Sequence, residues 1–130
     1  MNHHPEHDPL GDLTDAGVAV WLDDLSRELL ADGGLRSLVI TRHVVGVTTN
    51  PTIFASALAK GDRYDDQLAD LATRDADVDT AVFLVTTDDV RAACDVLAPV
   101  HTRTAGLDGC VSIEVDPRLS RDAAATAEMA

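Results

Sequence analysis

The stretch "HVVGVTTNPTIF", His43 to Phe54, decides how this chain is read. Val44, Val45 and Val47 form an apolar run without alternation, the pattern of a strand buried on both faces, as parallel sheets have. The run breaks at Thr48-Thr49-Asn50-Pro51. Asn50 can cap a helix and Pro51 can occupy its first turn, with Ile53 and Phe54 beyond. A strand that passes directly into a helix is the unit of an α/β fold. The hydrogen-bonding side chains at the strand exit stand where parallel α/β folds gather their ligand sites.

Working outward, "VAVWL", Val18 to Leu22, is a second apolar run, and it ends in Asp23-Asp24. "LSRELLADGG" follows, with Leu25, Leu29 and Leu30 on one helical face and Gly33-Gly34 as the stop. Leu35 to Thr41 reads as another short helix. Past the opening stretch, a helix begins near Asp62, with Tyr64, Leu68 and Leu71 at i, i+4, i+7 spacing. "AVFLVT" suggests a strand by composition, but "TTDDVRAACDVLAPV" just beyond is helical, with Thr86 and Asp89 at capping-box spacing. "CVSIEVD", Cys110 to Asp116, is a third strand that alternates: Val111, Ile113 and Val115 on one side, Ser112, Glu114 and Asp116 on the other. The order is strand, helices, strand, helices, strand, then the Ala-rich "SRDAAATAEMA". That predicts an α/β fold with a parallel sheet. Residues 1–12 read as a tail and residues 13–130 as one unit without an internal repeat.

The length of 130 residues suits one domain, and the 45% hydrophobic content suffices for a core. The net charge of -13, from 23 acidic and 10 basic residues, argues against nucleic acid or an anionic membrane as a partner. No apolar run approaches the roughly 20 residues of a membrane span. The start, "MNHHPEHDPLGDL", has neither the basic flank nor the apolar block of a secretory signal. These features predict a soluble, cytoplasmic protein. Cys94 and Cys110 form no CxxC and have no histidine at metal-ligand spacing, so reduced, partly buried thiols are expected. His3, His4 and His7 read as part of a polar tail rather than a metal site.

Polar residues collect at all three strand exits: Asp23, then Thr48, Thr49 and Asn50, then Glu114 and Asp116. Each has a purely local alternative. Asp23 or Asp24 can cap the next helix, Asn50-Pro51 is a good cap and first-turn pair, and Thr48 can bond to backbone alone. Glu114 is the hardest to explain locally, because an unpaired acid on an inner sheet face is costly. The pattern points to a pocket without naming a reaction.

These same residues carry a resemblance. "GVTTNPTIF" (Gly46–Phe54) and "DGCVSIEVDPRL" (Asp108–Leu119) resemble the two N-terminal signatures of the transaldolase family. "GVAVWLDDLSRE" (Gly17–Glu28) resembles the first strand of its bacterial members, the long actinobacterial type in particular. The similarity runs from about Leu10 to about Asp122. The TTNP-type motif is shared with the related fructose-6-phosphate aldolases, whereas the VSIEVDPRL-type motif and the long segment before it favour transaldolase proper. The resemblance implies a (β/α)₈ TIM barrel, of which this chain supplies about the first three β/α units. It implies transfer of a dihydroxyacetone unit from sedoheptulose 7-phosphate to glyceraldehyde 3-phosphate in the pentose phosphate pathway. The donor ketone forms a Schiff base with a lysine, and no metal or organic cofactor takes part.

Carried over position by position, Asp23 matches the acid/base aspartate that takes a proton from the donor hydroxyl. Thr48 and Glu114 match the pair that holds a catalytic water and shuttles protons. Asn50 matches the asparagine that hydrogen-bonds the donor near the Schiff base. The family's lysine lies on the strand after Glu114, and nothing in these 130 residues matches it. The single lysine, Lys60, reads as a surface position at a helix end. The expectation is therefore an N-terminal piece of a transaldolase, inactive alone, with open barrel edges prone to self-association. Two other readings are a fructose-6-phosphate aldolase-like lyase and a non-catalytic fragment that associates with a complementary chain.

Overall fold

The computed structural model describes residues 8–130; His3, His4 and His7 lie outside the described residues. Three strands make one parallel sheet in the order β1-β2-β3: β1 (Val20–Leu22), β2 (Val44–Thr48) and β3 (Cys110–Ser112). Before them, α1 (Pro9–Asp15) occupies part of what the sequence suggests is tail. The Asp8 side chain caps α1 by accepting from the Gly11 amide, and its carboxylate also meets His43 Nε2 at 2.7 Å. This contact with His43 holds the Asp8 carboxyl below its ordinary range.

Between β1 and β2 run α2 (Arg27–Ala31) and α3 (Gly34–Thr41). Gly33 separates them with a left-handed φ of 74°, a conformation that glycine adopts without a steric penalty. Between β2 and β3 run α4 (Pro51–Lys60), a 3₁₀ turn (Asp62–Tyr64), α5 (Asp65–Thr73) and α6 (Val78–Arg103). After β3 come a second 3₁₀ turn (Pro117–Leu119) and α7 (Ala123–Met129).

Two sequence expectations need correction here, and "AVFLVT", which the sequence leaves open between strand and helix, is helical. It lies inside the 26-residue α6, whose cap is Asp77, accepting from the Thr80 amide. Thr86 and Asp89 are consequently interior to that helix and form no capping box; the Thr86 hydroxyl bonds back to the Val82 carbonyl. The third strand is also shorter than its alternation suggests. Cys110, Val111 and Ser112 pair with Gly46, Val47 and Thr48. Past Thr48 the chain turns into α4, so Ile113, Glu114 and Val115 have no partner on β2 and leave the strand. Thr49 closes the pairing: its amide and its hydroxyl both donate to the Ser112 carbonyl, at 3.1 and 2.8 Å.

The sheet has one covered and one open face. Val47 is fully buried against Leu25, Leu35, Ala93 and Leu97 from the loop after β1, α3 and α6, with Leu22, Val45 and Val111 on the same side. By the two-residue period of a strand, Trp21, Gly46, Thr48 and Ser112 face the other way. Trp21, the only tryptophan, lies on Gly46 and remains 38% exposed. A smaller second core holds Ala57, Tyr64, Leu71 and Val85. Both cysteines are free; Cys94 is exposed, where a partly buried thiol was expected, and Cys110 is half-buried. No helix of the described residues is long and apolar enough to cross a membrane.

A Cβ on Gly46 would run into the Trp21 indole. Gly46→Ala is therefore expected to destabilise the chain by about 1–3 kcal/mol, read by urea denaturation, and to change the Trp21 emission maximum in the native state. An unchanged midpoint and spectrum would contradict this packing.

Candidate functional site

All three strands run parallel, so their C-terminal ends open on one side, and side chains distant in sequence meet there. Thr48, the last residue of β2, donates its hydroxyl to Asp23 Oδ1 at 2.8 Å. Asp23 follows β1 directly. Neither it nor Asp24 caps α2; Ser26 does, accepting from the Leu29 amide at 3.2 Å. The local alternatives for Asp23 and Thr48 therefore fail, and the two form a side-chain pair on the open face. Ser112, in register with Thr48, belongs to the same row.

The opening motif thus divides its labour. Thr48 faces the open side and binds Asp23, while Thr49 ties β2 to β3 from the buried side. Asn50 caps α4: its Oδ1 accepts from the Ile53 amide at 3.0 Å. This uses one end of the Asn50 side chain and leaves its NH₂ group as a donor. Asn50 borders two clefts. One, about 660 Å³, is mainly apolar and runs between α4, α6 and residues 113–118; Phe54, Phe83, Val90 and Ile113 line it. The other, about 480 Å³, lies between the β1–α2 loop and α4, and Asp24, Ser26, Ser56 and Lys60 are among its lining residues.

Glu114 is not brought to the Asp23–Thr48 pair. It is exposed beyond the end of β3, borders the apolar cleft, and makes no hydrogen bond or ion pair with the described residues. Asp116 is not a strand residue either. It caps the turn Pro117–Leu119, and its hydrogen bonds to Arg118 hold its carboxyl below the ordinary range. Arg118 also reaches Asp79 at 3.0 Å. Lys60 is the exposed last residue of α4, as the sequence suggests. Among the described residues no group of three or more His, Cys, Asp or Glu side chains is placed to hold a metal ion.

A carboxylate in contact with a hydroxyl on an open, polar sheet end can take and return a proton, and the hydroxyl can orient water. Sequence reasoning missed the residues behind this pair. Arg27 Nε bonds Asp89 Oδ1 at 2.9 Å, and the Tyr64 hydroxyl bonds Asp89 Oδ2 at 2.7 Å. Burial, and then the adjacent Asp89 carboxylate, raise the Tyr64 phenol far above its ordinary pKa. The signal for Asp89 was present. It occupies one position in the buried stripe Val85, Asp89, Ala93, Leu97 of α6, where an acid is out of place without a partner.

A family model described as transaldolase/fructose-6-phosphate aldolase matches residues 20–130. The transaldolase of Kocuria rhizophila is 62% identical over 122 residues, which are 94% of this chain and 33% of that protein. The transaldolase of Thermobifida fusca is 62% identical over 114 residues, 88% of this chain and 31% of its own length. That of Mycobacterium tuberculosis is 57% identical over 121 residues, 93% and 32% respectively. The chain thus spans about a third of the length of these relatives.

The capping role of Asn50 can be tested by itself. Asn50→Ala should destabilise the chain by about 1 kcal/mol through loss of the α4 cap, whereas Asn50→Asp, an equally good cap, should stay within about 0.5 kcal/mol of the parent. Urea denaturation of both variants checks this, and equal losses would contradict the capping role.

Proposed function

The chain belongs to the transaldolase/fructose-6-phosphate aldolase family, and from that membership we propose that it forms the first three β/α units of a (β/α)₈ barrel with transaldolase activity. The single observation that carries the reading is the Thr48–Asp23 hydrogen bond at the C-terminal ends of two parallel strands. Barrels of this kind place their chemistry at that face. The relatives named above are all transaldolases, which favours the transferase over the lyase reading. The substrates would be sugar phosphates, and the reaction belongs to the pentose phosphate pathway in the cytoplasm.

The proposed steps balance as follows. A lysine amine adds to the donor ketone and expels water, leaving an iminium. Asp23 removes the proton from the hydroxyl on the carbon β to the iminium carbon. The carbon–carbon bond breaks, its electrons pass into the iminium to give an enamine, and an aldehyde departs. Addition of the acceptor aldehyde reverses these events, with Asp23 returning the proton. Asn50 supplies its free NH₂ to the donor's oxygens, and Thr48 orients the water of Schiff-base formation. Glu114 joins this row when further chain pairs along the free edge of β3. The strand then extends through residues 113–115, and their alternation sets Glu114 beside Ser112. Lys60 points to no part in this chemistry, being exposed at the far end of α4. The amine comes from outside these residues.

In a transaldolase carrying this segment, Asp23→Ala should slow turnover roughly 10²–10⁴-fold, as removal of a general base does. Borohydride with fructose 6-phosphate should still trap the Schiff base of the whole, uncleaved donor, on a lysine other than Lys60. Unchanged turnover, or a stoichiometric adduct on Lys60 found by mass spectrometry, would overturn the assignment.

A further inference from the structure

Asp23 is held in place from two directions. Its strand is fixed by pairing, with Leu22 opposite Val47 on β2. On its other side the chain passes through Leu25, fully buried, and Ser26, the cap of α2, into Arg27. Arg27 is the anchor. Its backbone amide donates to the Tyr64 hydroxyl at 2.9 Å, and its Nε donates to Asp89 Oδ1 at 2.9 Å. The Tyr64 hydroxyl in turn donates to Asp89 Oδ2 at 2.7 Å, which closes a ring of hydrogen bonds. The guanidinium also lies over the Tyr64 ring, 4.5 Å from its centroid. Tyr64 is 0% and Asp89 2% exposed.

This ring is an expensive way to fill space. Apolar side chains of similar volume often stabilise a protein as well as a buried ion pair or better. What charge-assisted hydrogen bonds add is fixed distance and direction. The ring joins the start of α2, the turn before α5 and the middle of α6, and none of its residues touches the open face. The segment that leads from β1 into the ring is residues 23–26. We propose that Arg27, Tyr64 and Asp89 are positioning residues for Asp23, setting the loop so that its carboxylate meets Thr48. The proposal rests on Asp23 as a site residue but not on turnover.

The test is made on this chain with isotope-labelled threonine methyl groups, by NMR between about pH 2 and 6, the range in which carboxylates titrate. The Thr48 methyl resonance should shift across this range, and Asp23→Asn should abolish that response. Tyr64→Phe removes one oxygen from the ring, and Asp89→Asn removes its charge. Each should at least halve the amplitude of the Thr48 response, while the Thr49 amide, bonded to Ser112, stays protected from hydrogen exchange. An undiminished response in both variants overturns the proposal, as does a parent chain whose Thr48 methyl ignores pH. Loss of Thr49 protection in both variants also overturns it, since the ring would then brace the whole sheet. A transaldolase assay on the same samples reports separately, so an inactive chain leaves this result readable.

Discussion

The parallel pairing of β2 with a strand on each side is the constraint from which the rest follows. Parallel strands cannot be joined by a short turn, so helices must return the chain to the same edge each time. Those helices cover one face with a shared core around Val47. The same pairing forces every strand to exit at one end, which is how Asp23 and Thr48, 25 residues apart in sequence, come within hydrogen-bonding distance. Thr49 shows how closely the arrangement is set. One residue on from Thr48, on the opposite face, its amide and hydroxyl hold the Ser112 carbonyl and fix the register of β3.

Much of this was legible in the sequence because the signals are local. Non-alternating valines gave β2, the Asn50-Pro51 pair gave the start of α4, and Gly33 gave the break between α2 and α3. The same locality explains what stayed ambiguous and what was wrong. "AVFLVT" carries strand-forming residues, but Asp77 caps a helix before it and the amphipathic stretch beyond it continues, so the intrinsic preference yields to context. The alternation of Val111, Ile113 and Val115 is a real strand pattern. It goes unrealised past Ser112 because β2 has already turned into α4 and offers no further backbone to pair with.

The candidate site divides along the same line. Asp23, Thr48 and Asn50 could be named because each stands at the exit of an apolar run. Their structural behaviour then separates them: Asn50 caps a helix through its oxygen, while Thr48 bonds a side chain rather than backbone. Glu114 was named for being an acid within an alternating strand, but it lies exposed beyond the end of β3, away from the Asp23–Thr48 pair. Arg27, Tyr64 and Asp89 were not found, since their ring joins positions separated by as many as 62 residues and no short window contains it. Asp89 was instead taken for part of a cap, the usual place for an acid near a helical threonine.

The central claim is that the exits of β1 and β2 form one wall of a Schiff-base sugar site. A crystal structure of the transaldolase carrying this segment, with the uncleaved donor's Schiff base reduced in place, tests it most directly. The account predicts an Asp23 carboxylate oxygen and the Asn50 NH₂ group within about 3 Å of the adduct's oxygens, with Thr48 still bonded to Asp23. An adduct enclosed by other residues, with Asp23 and Asn50 turned away from it, would contradict the account.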